Sequence, residues 1–193
     1  MDKVEFPVKT PNLSAEKFEK KIMLEYSKAK SGLRLDSKFK DQVLGLYRKL
    51  YKKGCIIPRE RSANVASLIY IVSRQNNAPI LLEDLALIFG VNKKRIFRFL
   101  KKNIRALGIH LKPEDPYAFL DRFAKELKIK PKQYKKARDI IKRMKLSGKS
   151  IKAMVLSVLA YVADLDPRFI SKEYGVSPYT LRKYRKIIEG KEA

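Results

Sequence analysis

A short apolar segment, a glycine turn and a basic amphipathic segment follow one another in residues 169–188. Gly175 suits the left-handed residue that ends many helices, and Ser177 followed by Pro178 suits the start of the next helix. After the turn, apolar residues recur every three or four positions, which predicts one buried helix face. This order is typical of a helix-turn-helix, whose second helix enters the DNA major groove. An ordinary helical hairpin with a solvated basic face is the alternative.

The same arrangement occurs a second time in residues 81–104. Gly90 stands at the turn, where the later copy has Gly175, and Asn92 takes the capping position of Ser177. An apolar segment long enough for a buried helix precedes each copy, at residues 63–74 and 152–163. The offset between the copies is too long for a solenoid repeat and fits two small tandem domains. The sequence therefore predicts a duplicated helical domain.

Charge points to the class of partner. The chain has 193 residues, with 45 Lys and Arg against 20 Asp and Glu, a formal net charge of +25. Such an excess repels itself in the folded state and favours a polyanion, so we expect nucleic acid to be the partner. A basic membrane-surface protein is the alternative, but no apolar run reaches the roughly 18 residues of a membrane span. We also find no signal-peptide pattern, and expect a cytoplasmic, prokaryotic, nucleoid-associated location.

Residues for metal, redox or catalytic chemistry are scarce. Cys55 is the single cysteine and His110 the single histidine, which excludes an internal disulfide and a Cys/His zinc site within the chain. No glycine-rich phosphate loop is present. The acidic pairs Glu83-Asp84 and Glu114-Asp115 consist of neighbours that point in different directions on a helix. We therefore expect no enzyme, no catalytic residue, no bound metal and no cofactor.

Periodicity predicts an all-α chain of two tandem five-helix repeats, each ending in a helix-turn-helix. The first helix is expected to stop at Ser31-Gly32, and Asp36 or Ser37 to start the second. Asp115 is expected to cap the first helix of the second repeat, whose basic second helix spans residues 131–146. Gly190 is expected to end the last helix. The predicted segments are an extended arm (1–13), a first repeat beginning at Ser14 (14–109), a hinge (110–115) and a second repeat (116–190).

The order and spacing of several short motifs resemble the paired cyclin-like core of the general transcription factor B family, which comprises archaeal transcription factor B and eukaryotic TFIIB. The resemblance covers about residues 14–190. It rests on the order and spacing of the motifs along the chain, since each motif alone is short. The matching residues are 70–75 (YIVSRQ), 82–86 (LEDLA), Gly90-Val91, 94–96 (KRI), 122–124 (RFA), 148–150 (GKS), 161–163 (YVA), Gly175-Val176 and 180–182 (TLR).

This resemblance implies binding to double-stranded promoter DNA beside a TATA box, together with the TATA-binding protein. In the family, a small apolar residue and an arginine three positions later touch bases; here Tyr179 and Arg182 hold these places. Arg182 can form the bidentate contact to guanine, whereas Tyr179 departs from the pattern, so the preferred element differs or specificity is weaker. Further DNA-binding candidates are Ser177, Thr180, Lys183, Arg185, Lys186 and Lys149 in the second repeat, and Lys93, Lys94, Arg95 and Arg98 in the first. Arg59 and Arg61 are the candidates for an acidic loop of the TATA-binding protein.

Family members also carry an N-terminal zinc ribbon that docks on RNA polymerase. The arm before the first repeat is too short for one, so we expect either the core of a longer protein or a short relative acting as a competitor or regulator. Two other functions remain open. A sequence-tolerant DNA-packaging or replication-associated protein would use the charge but not Arg182, and a cyclin-like scaffold would bind a protein instead. For the individual lysines, a merely solvated surface is the alternative to DNA contact.

Overall fold

A computed structural model describes residues 15–33, 35–144 and 150–192 of the chain. Within these residues the protein is helical and contains no β-strand, so the predicted all-α class is confirmed. The helices are α1 (Ala15–Leu33), α2 (Ser37–Lys52), α3 (Arg61–Gln75), α4 (Leu82–Phe89), α5 (Lys93–Leu107), α6 (Pro116–Glu126), α7 (Pro131–Arg143), α8 (Ile151–Val162), α9 (Pro167–Tyr174) and α10 (Pro178–Glu192), with a 3₁₀ turn at Pro58–Glu60 before α3.

The first compact unit contains α1 to α5 and is built around α3. Every residue of α3 from Ala63 to Ser73 is buried, because this helix packs against α1, α2, α4 and α5. A helix that is apolar nearly all round must be enclosed by others to remove its surface from water. The central position predicted for the apolar segment 63–74 is therefore confirmed.

The second compact unit contains α6 to α10 and is built around α8. The residues of α8 from Ala153 to Ala160 are buried, and α6, α7, α9 and α10 all pack against this helix. The division between the units falls between Pro113 and Glu114, inside the segment predicted as a hinge. That the two units are copies of one cyclin-like repeat stays a prediction.

Side-chain caps fix several helix starts as expected. Asp36 Oδ1 accepts a hydrogen bond of 2.7 Å from the Phe39 amide at the start of α2. Asp115 Oδ1 accepts one of 2.9 Å from the Tyr117 amide at the start of α6. Each carboxylate satisfies an amide that the helix itself leaves without a partner. The expected cap Ser14, the arm 1–13 and Lys149 lie outside the described residues.

Three predicted helix ends were wrong. α1 continues through Ser31-Gly32 to Leu33, because Leu33 packs against the hydrophobic core and α1 packs against α4, which outweighs the low helix propensity of glycine. α10 likewise runs through Gly190 to Glu192, since a single helical glycine costs only about 1 kcal/mol. α7 ends at Arg143 instead of Leu146, because Met144 adopts extended backbone and buries its side chain.

Candidate nucleic-acid interface

The turn between α9 and α10 has the geometry expected from its sequence. Gly175 ends α9 with a left-handed backbone (φ 65°), and its amide donates a hydrogen bond of 2.9 Å to the Ser171 carbonyl. Only glycine adopts this conformation without a steric penalty. Val176 follows with its side chain buried, which anchors the turn to the core of the unit. The start of α10 is thereby fixed relative to α9.

The first turn of α10 is closed by the side chain of Ser177. Its hydroxyl oxygen accepts a hydrogen bond of 3.2 Å from the Thr180 amide and lies 2.8 Å from the Thr180 hydroxyl. Leu181 and Ile188 are buried on the inner side of the helix, which packs against α8. Ser177 and Thr180 thus position α10, and their hydroxyls remain at the surface beside its exposed face.

The outer face of α10 presents an aromatic ring and several unpaired cations. Tyr179 is 71% exposed. Arg182, Lys183 and Lys186 are exposed and form no hydrogen bond or ion pair with any residue that the structure describes. Three unpaired cations on one helix face create a positive field that a phosphate backbone would neutralise.

Arg185 differs from its neighbours because it already has partners. Its Nε donates a hydrogen bond of 2.9 Å to Glu189 Oε1, one helix turn later. This carboxylate raises the pKa of Arg185. The guanidinium carbon also lies 5.9 Å from the centroid of the Tyr161 ring, within cation–π range. Arg185 is held against its own unit, whereas Arg182 is open to solvent.

The first unit has a matching turn between α4 and α5. Gly90 is left-handed (φ 60°), and Asn92 Oδ1 accepts a hydrogen bond of 2.8 Å from the Lys94 amide at the start of α5. Ile96 and Leu100 are buried, so the remaining positions of α5 face outwards. The predicted cap at Asn92 is confirmed.

Two of the four cations predicted to bind DNA in this unit are paired with acids. Lys93 Nζ lies 2.9 Å from Glu83 Oε1. The guanidinium of Arg95 donates a hydrogen bond to the carboxylate of Glu60, which raises the pKa of Arg95. Lys94 is exposed and has no side-chain partner among the described residues. On α5, therefore, phosphate binding would compete with intramolecular ion pairs.

Arg98 lies beside a shallow basic cavity of about 350 Å³ between α5 and the 3₁₀ turn. Its guanidinium carbon is 6.0 Å from the centroid of the Phe99 ring. The residues that line the cavity are Ile57, Arg59, Glu60, Arg98, Phe99 and Lys102. The structure thus brings Arg59 and Arg98 together, although the sequence predicted a different partner for each of them.

Arg59 and Arg61, expected to contact the same protein, differ in exposure. Arg59 is exposed, whereas Arg61 is half-buried. The Nε of Arg61 is enclosed and has no hydrogen-bond partner within the described residues. Arg59 is therefore the more accessible of the two.

A buried polar cluster that was not predicted from the sequence joins α5 to α3. Asn103 is fully buried, and its Nδ2 donates hydrogen bonds of 2.8 Å to Asn64 Oδ1 and 2.7 Å to the Ser67 hydroxyl. The Ser67 hydroxyl in turn donates to the Asn64 carbonyl at 2.7 Å. The available signal was the presence of polar residues within an apolar central helix, since buried polar groups are nearly always paired. The cluster fixes how α5 sits on the core.

The described residues contain no helix that is both long and apolar enough to cross a membrane. In the same residues, no three His, Cys, Asp or Glu side chains converge as metal ligands.

No protein-family model matches this sequence. Several curated proteins are similar to it. Transcription initiation factor IIB 2 of Thermococcus kodakarensis is 29% identical over 175 residues, which cover 86% of this chain and 57% of that protein. Transcription initiation factor IIB of Archaeoglobus fulgidus is 28% identical over 176 residues, covering 86% and 54%, and that of Pyrococcus furiosus is 28% identical over 181 residues, covering 86% and 59%. The chain spans little more than half the length of these curated relatives.

Proposed function

Because this chain is a member of the transcription initiation factor IIB family, we propose that it binds promoter DNA next to a TATA box, together with the TATA-binding protein. The observation that carries the proposal is the exposed Arg182 on α10, a helix that the Gly175 turn and the Ser177 cap hold in place. Arg182 is unpaired among the described residues, so its guanidinium can form two parallel hydrogen bonds to a base.

The second unit would read the sequence of the promoter. Arg182 would pair with O6 and N7 of a guanine in the major groove, the commonest base-specific contact of arginine. Tyr179 lies one helix turn earlier, and its exposed ring would pack against a neighbouring base edge. Phosphates would be contacted by Ser177, Thr180, Lys183 and Lys186. Arg185 would contribute less, because Glu189 already neutralises part of its charge.

The first unit would hold the backbone and the protein partner. Of the four α5 cations predicted to bind DNA, Lys94 and Arg98 have no acidic partner among the described residues, and they would bind phosphates before Lys93 and Arg95 do. Arg59 would meet an acidic loop of the TATA-binding protein, while the half-buried Arg61 would support it. The net charge of +25 favours both contacts by drawing polyanions to the surface.

A gel-shift assay tests this proposal with the wild type, Arg182→Ala and Arg105→Ala. The probe is duplex DNA with a TATA box, with and without an archaeal TATA-binding protein. Arg105 is an exposed helical arginine without a partner among the described residues, so its substitution removes the same charge. We expect a cooperative ternary complex and a loss of about 1–3 kcal/mol for Arg182→Ala on the best flanking sequence. Arg105→Ala should change binding much less.

The other functions give different outcomes in the same assay. A sequence-tolerant DNA-binding protein would bind without the TATA-binding protein, and both arginine substitutions would then have equal effects. A protein-interaction scaffold would not retain DNA. DNA binding through six to ten phosphates should weaken by roughly three to five decades between about 50 and 200 mM salt. The proposal would be contradicted by binding that does not need the TATA-binding protein and is equally sensitive to both substitutions, or by the absence of DNA binding.

A further inference from the structure

We propose that one flank of α7 binds the DNA backbone beside the bases that α10 reads. The cations of this flank, called the α7 flank, are Lys132, Lys136 and Arg143. The inference rests on the proposed function of α10 and extends DNA binding to α7, a helix to which the proposed function assigns no role. It concerns an interaction surface, and its partner is the phosphate backbone of the same duplex.

Tyr161 joins α7 to α10. Lys136 Nζ of α7 lies 5.3 Å from the centroid of the Tyr161 ring, and the guanidinium carbon of Arg185 of α10 lies 5.9 Å from the same centroid. One cation from α7 and one from α10 therefore lie against the Tyr161 ring at the end of α8. Two cations are brought close together at this ring, one of them (Arg185) already paired with Glu189, and a phosphate would stabilise the two cations further.

The helix period identifies which side of α7 faces this way. Residues four and seven positions apart share one side of a helix, which places Lys132 and Arg143 along the same flank as Lys136. Asp139, seven residues after Lys132 and four before Arg143, shares this flank, which therefore carries three cations and one acid. Ala137, Ile140 and Ile141 are buried, so the other sides of the helix face outwards. Arg138 lies on the opposite flank, where its guanidinium carbon is 5.7 Å from the centroid of the Tyr117 ring on α6.

The α7 flank is continuous with the surface of α10. Tyr161, Arg182 and Arg185 line one small cavity of about 60 Å³. Arg182, the proposed base-reading residue, thus borders the same ring that Lys136 covers. A duplex seated on Arg182 would bring neighbouring phosphates towards this cationic surface, because phosphates line both edges of the groove that α10 enters.

Charge favours DNA as the occupant of this surface. The helix α7 contains six Lys and Arg residues and one acid, Asp139. The cations Lys132, Lys136 and Arg143 are exposed. A surface with this composition gains little from an apolar partner, whereas phosphate contacts release the counterions condensed on DNA and stabilise the complex.

Two double variants of α7 test the inference. Lys132→Gln/Lys136→Gln removes two charges from the α7 flank. Lys135→Gln/Lys142→Gln removes two charges from exposed positions that share another side of the same helix. The two variants have equal net charge and equal helix propensity, since glutamine and lysine are similarly good helix formers. Affinity for the TATA-box duplex with the TATA-binding protein is measured from about 50 to 200 mM salt.

We expect Lys132→Gln/Lys136→Gln to reduce the slope of log affinity against log salt by about 2, because each lost phosphate contact contributes about 0.9. Its affinity should fall roughly tenfold, equally on all flanking sequences, as for contacts that carry no base information. The control variant should change the slope by less than half as much. Equal effects of the two variants, or no effect of the first, would overturn the inference.

Arg182→Ala, measured in parallel, separates this inference from the proposed function. A sequence-dependent loss for Arg182→Ala with no change for the α7 flank contradicts the inference alone. A sequence-independent loss for both would contradict base reading by α10 and leave α7 as part of a general DNA-binding surface.

Discussion

The guanidinium of Arg95 donates a hydrogen bond to the carboxylate of Glu60 and so links the first turn of α5 to the 3₁₀ turn before α3. The side chain of Arg95 is half exposed, whereas that of Glu60 is largely covered. The pair therefore places an acid next to the cations proposed to bind DNA in the first unit. A phosphate that approaches Arg95 must compete with Glu60.

We expect Glu60→Gln to strengthen DNA binding. The amide keeps the shape of the side chain but removes its charge, so Arg95 becomes free to contact a phosphate and the repulsion between Glu60 and DNA is lost. Affinity for the TATA-box duplex should rise several-fold at low salt and approach that of the wild type at high salt. Fluorescence anisotropy titrations at two salt concentrations measure both effects.

The matched control for this prediction is Glu126→Gln in α6. Glu126 pairs with Arg122 one helix turn away, at 2.8 Å, and its substitution changes the net charge by the same amount. We expect a much smaller rise in affinity. An equal rise in both variants would show that net charge alone, and not release of Arg95, increases binding.

Tyr179 is expected to shape the preference for flanking sequence. Its ring is 71% exposed on the face of α10 that carries Arg182, at a position where the resemblance to transcription factor B implies a small side chain. Tyr179→Ala should therefore change the ranking of flanking sequences while non-specific affinity changes little, since the substitution removes no charge. Selection of bound duplexes from a randomised flank gives the ranking for each variant. Identical rankings would show that the ring does not contact bases.

Gly175→Ala should destabilise the second unit and weaken DNA binding. A Cβ at this position would meet nothing within 4 Å, so the cost arises from the left-handed backbone and amounts to about 1–2 kcal/mol. Gly45→Ala in α2 is the control, because it also meets nothing within 4 Å but lies in a helix. That substitution should stabilise the protein by about 0.5–1 kcal/mol. Urea unfolding followed by circular dichroism distinguishes the two, and destabilisation by both would point to a steric cause.

Asn103→Ala should destabilise the first unit by about 1–3 kcal/mol, because it leaves Asn64 Oδ1 buried without its donor. Asn76→Ala removes an exposed amide that donates to Gln42 Oε1 at 2.6 Å, and should cost much less. In a double-mutant cycle, Asn64→Ala and Asn103→Ala should be non-additive, because they remove the same hydrogen bond. Additive losses in urea unfolding would mean that the two residues act separately.

Alkaline pH should lower the free energy of unfolding of the second unit, because Tyr174 loses its proton. Burial, with the nearby Glu126 carboxylate, raises the pKa of Tyr174 to about 12, above the value of about 10 for an unfolded tyrosine. The folded state then retains a proton that the unfolded chain loses. The resulting stability is fully present below pH 10 or so and disappears as the pH rises towards about 12.

Tyr174→Phe tests this pH dependence. The ring of Tyr174 packs edge-on against Phe123, with centroids 5.3 Å apart, and phenylalanine preserves that contact. Urea midpoints measured at pH 9 and 11 should fall less in this variant than in the wild type. Tyr179→Phe, which removes a tyrosine from the exposed surface, serves as the control. An unchanged pH dependence in Tyr174→Phe would mean that other groups cause the loss of stability at alkaline pH.

The sequence predicted those parts of the fold that depend on neighbouring residues. The left-handed turns at Gly90 and Gly175 and the caps at Asp36 and Asp115 each follow from local backbone chemistry. The end of α1 was predicted wrongly, because its continuation depends on packing of Leu33 and α1 against residues that lie far away in the chain. Local helix propensity carries no information about such long-range packing.

The candidate site shows the same limit. The exposure of Arg182 and Tyr179 could be predicted from the position of the apolar stripe on α10. The pairing of Arg95 with Glu60 could not, because the two residues lie in different elements that only the fold brings together. The link from Arg185 to Glu189 was accessible from their spacing of one helix turn. Contact with DNA by any of these residues stays a prediction.

The uneven pairing of cations on α5 and α10 has a kinetic consequence. Arg182, Lys183 and Lys186 have no acidic partner among the described residues, whereas Lys93 and Arg95 each have one. A free cation steers an incoming polyanion from a distance, while a neutralised one exerts little force beyond contact. We therefore expect these three cations of α10, with the unpaired Lys94 and Arg98 of α5, to set how fast a duplex is captured. Lys93 and Arg95 would engage later, as their acids release them, and would govern how long the duplex stays.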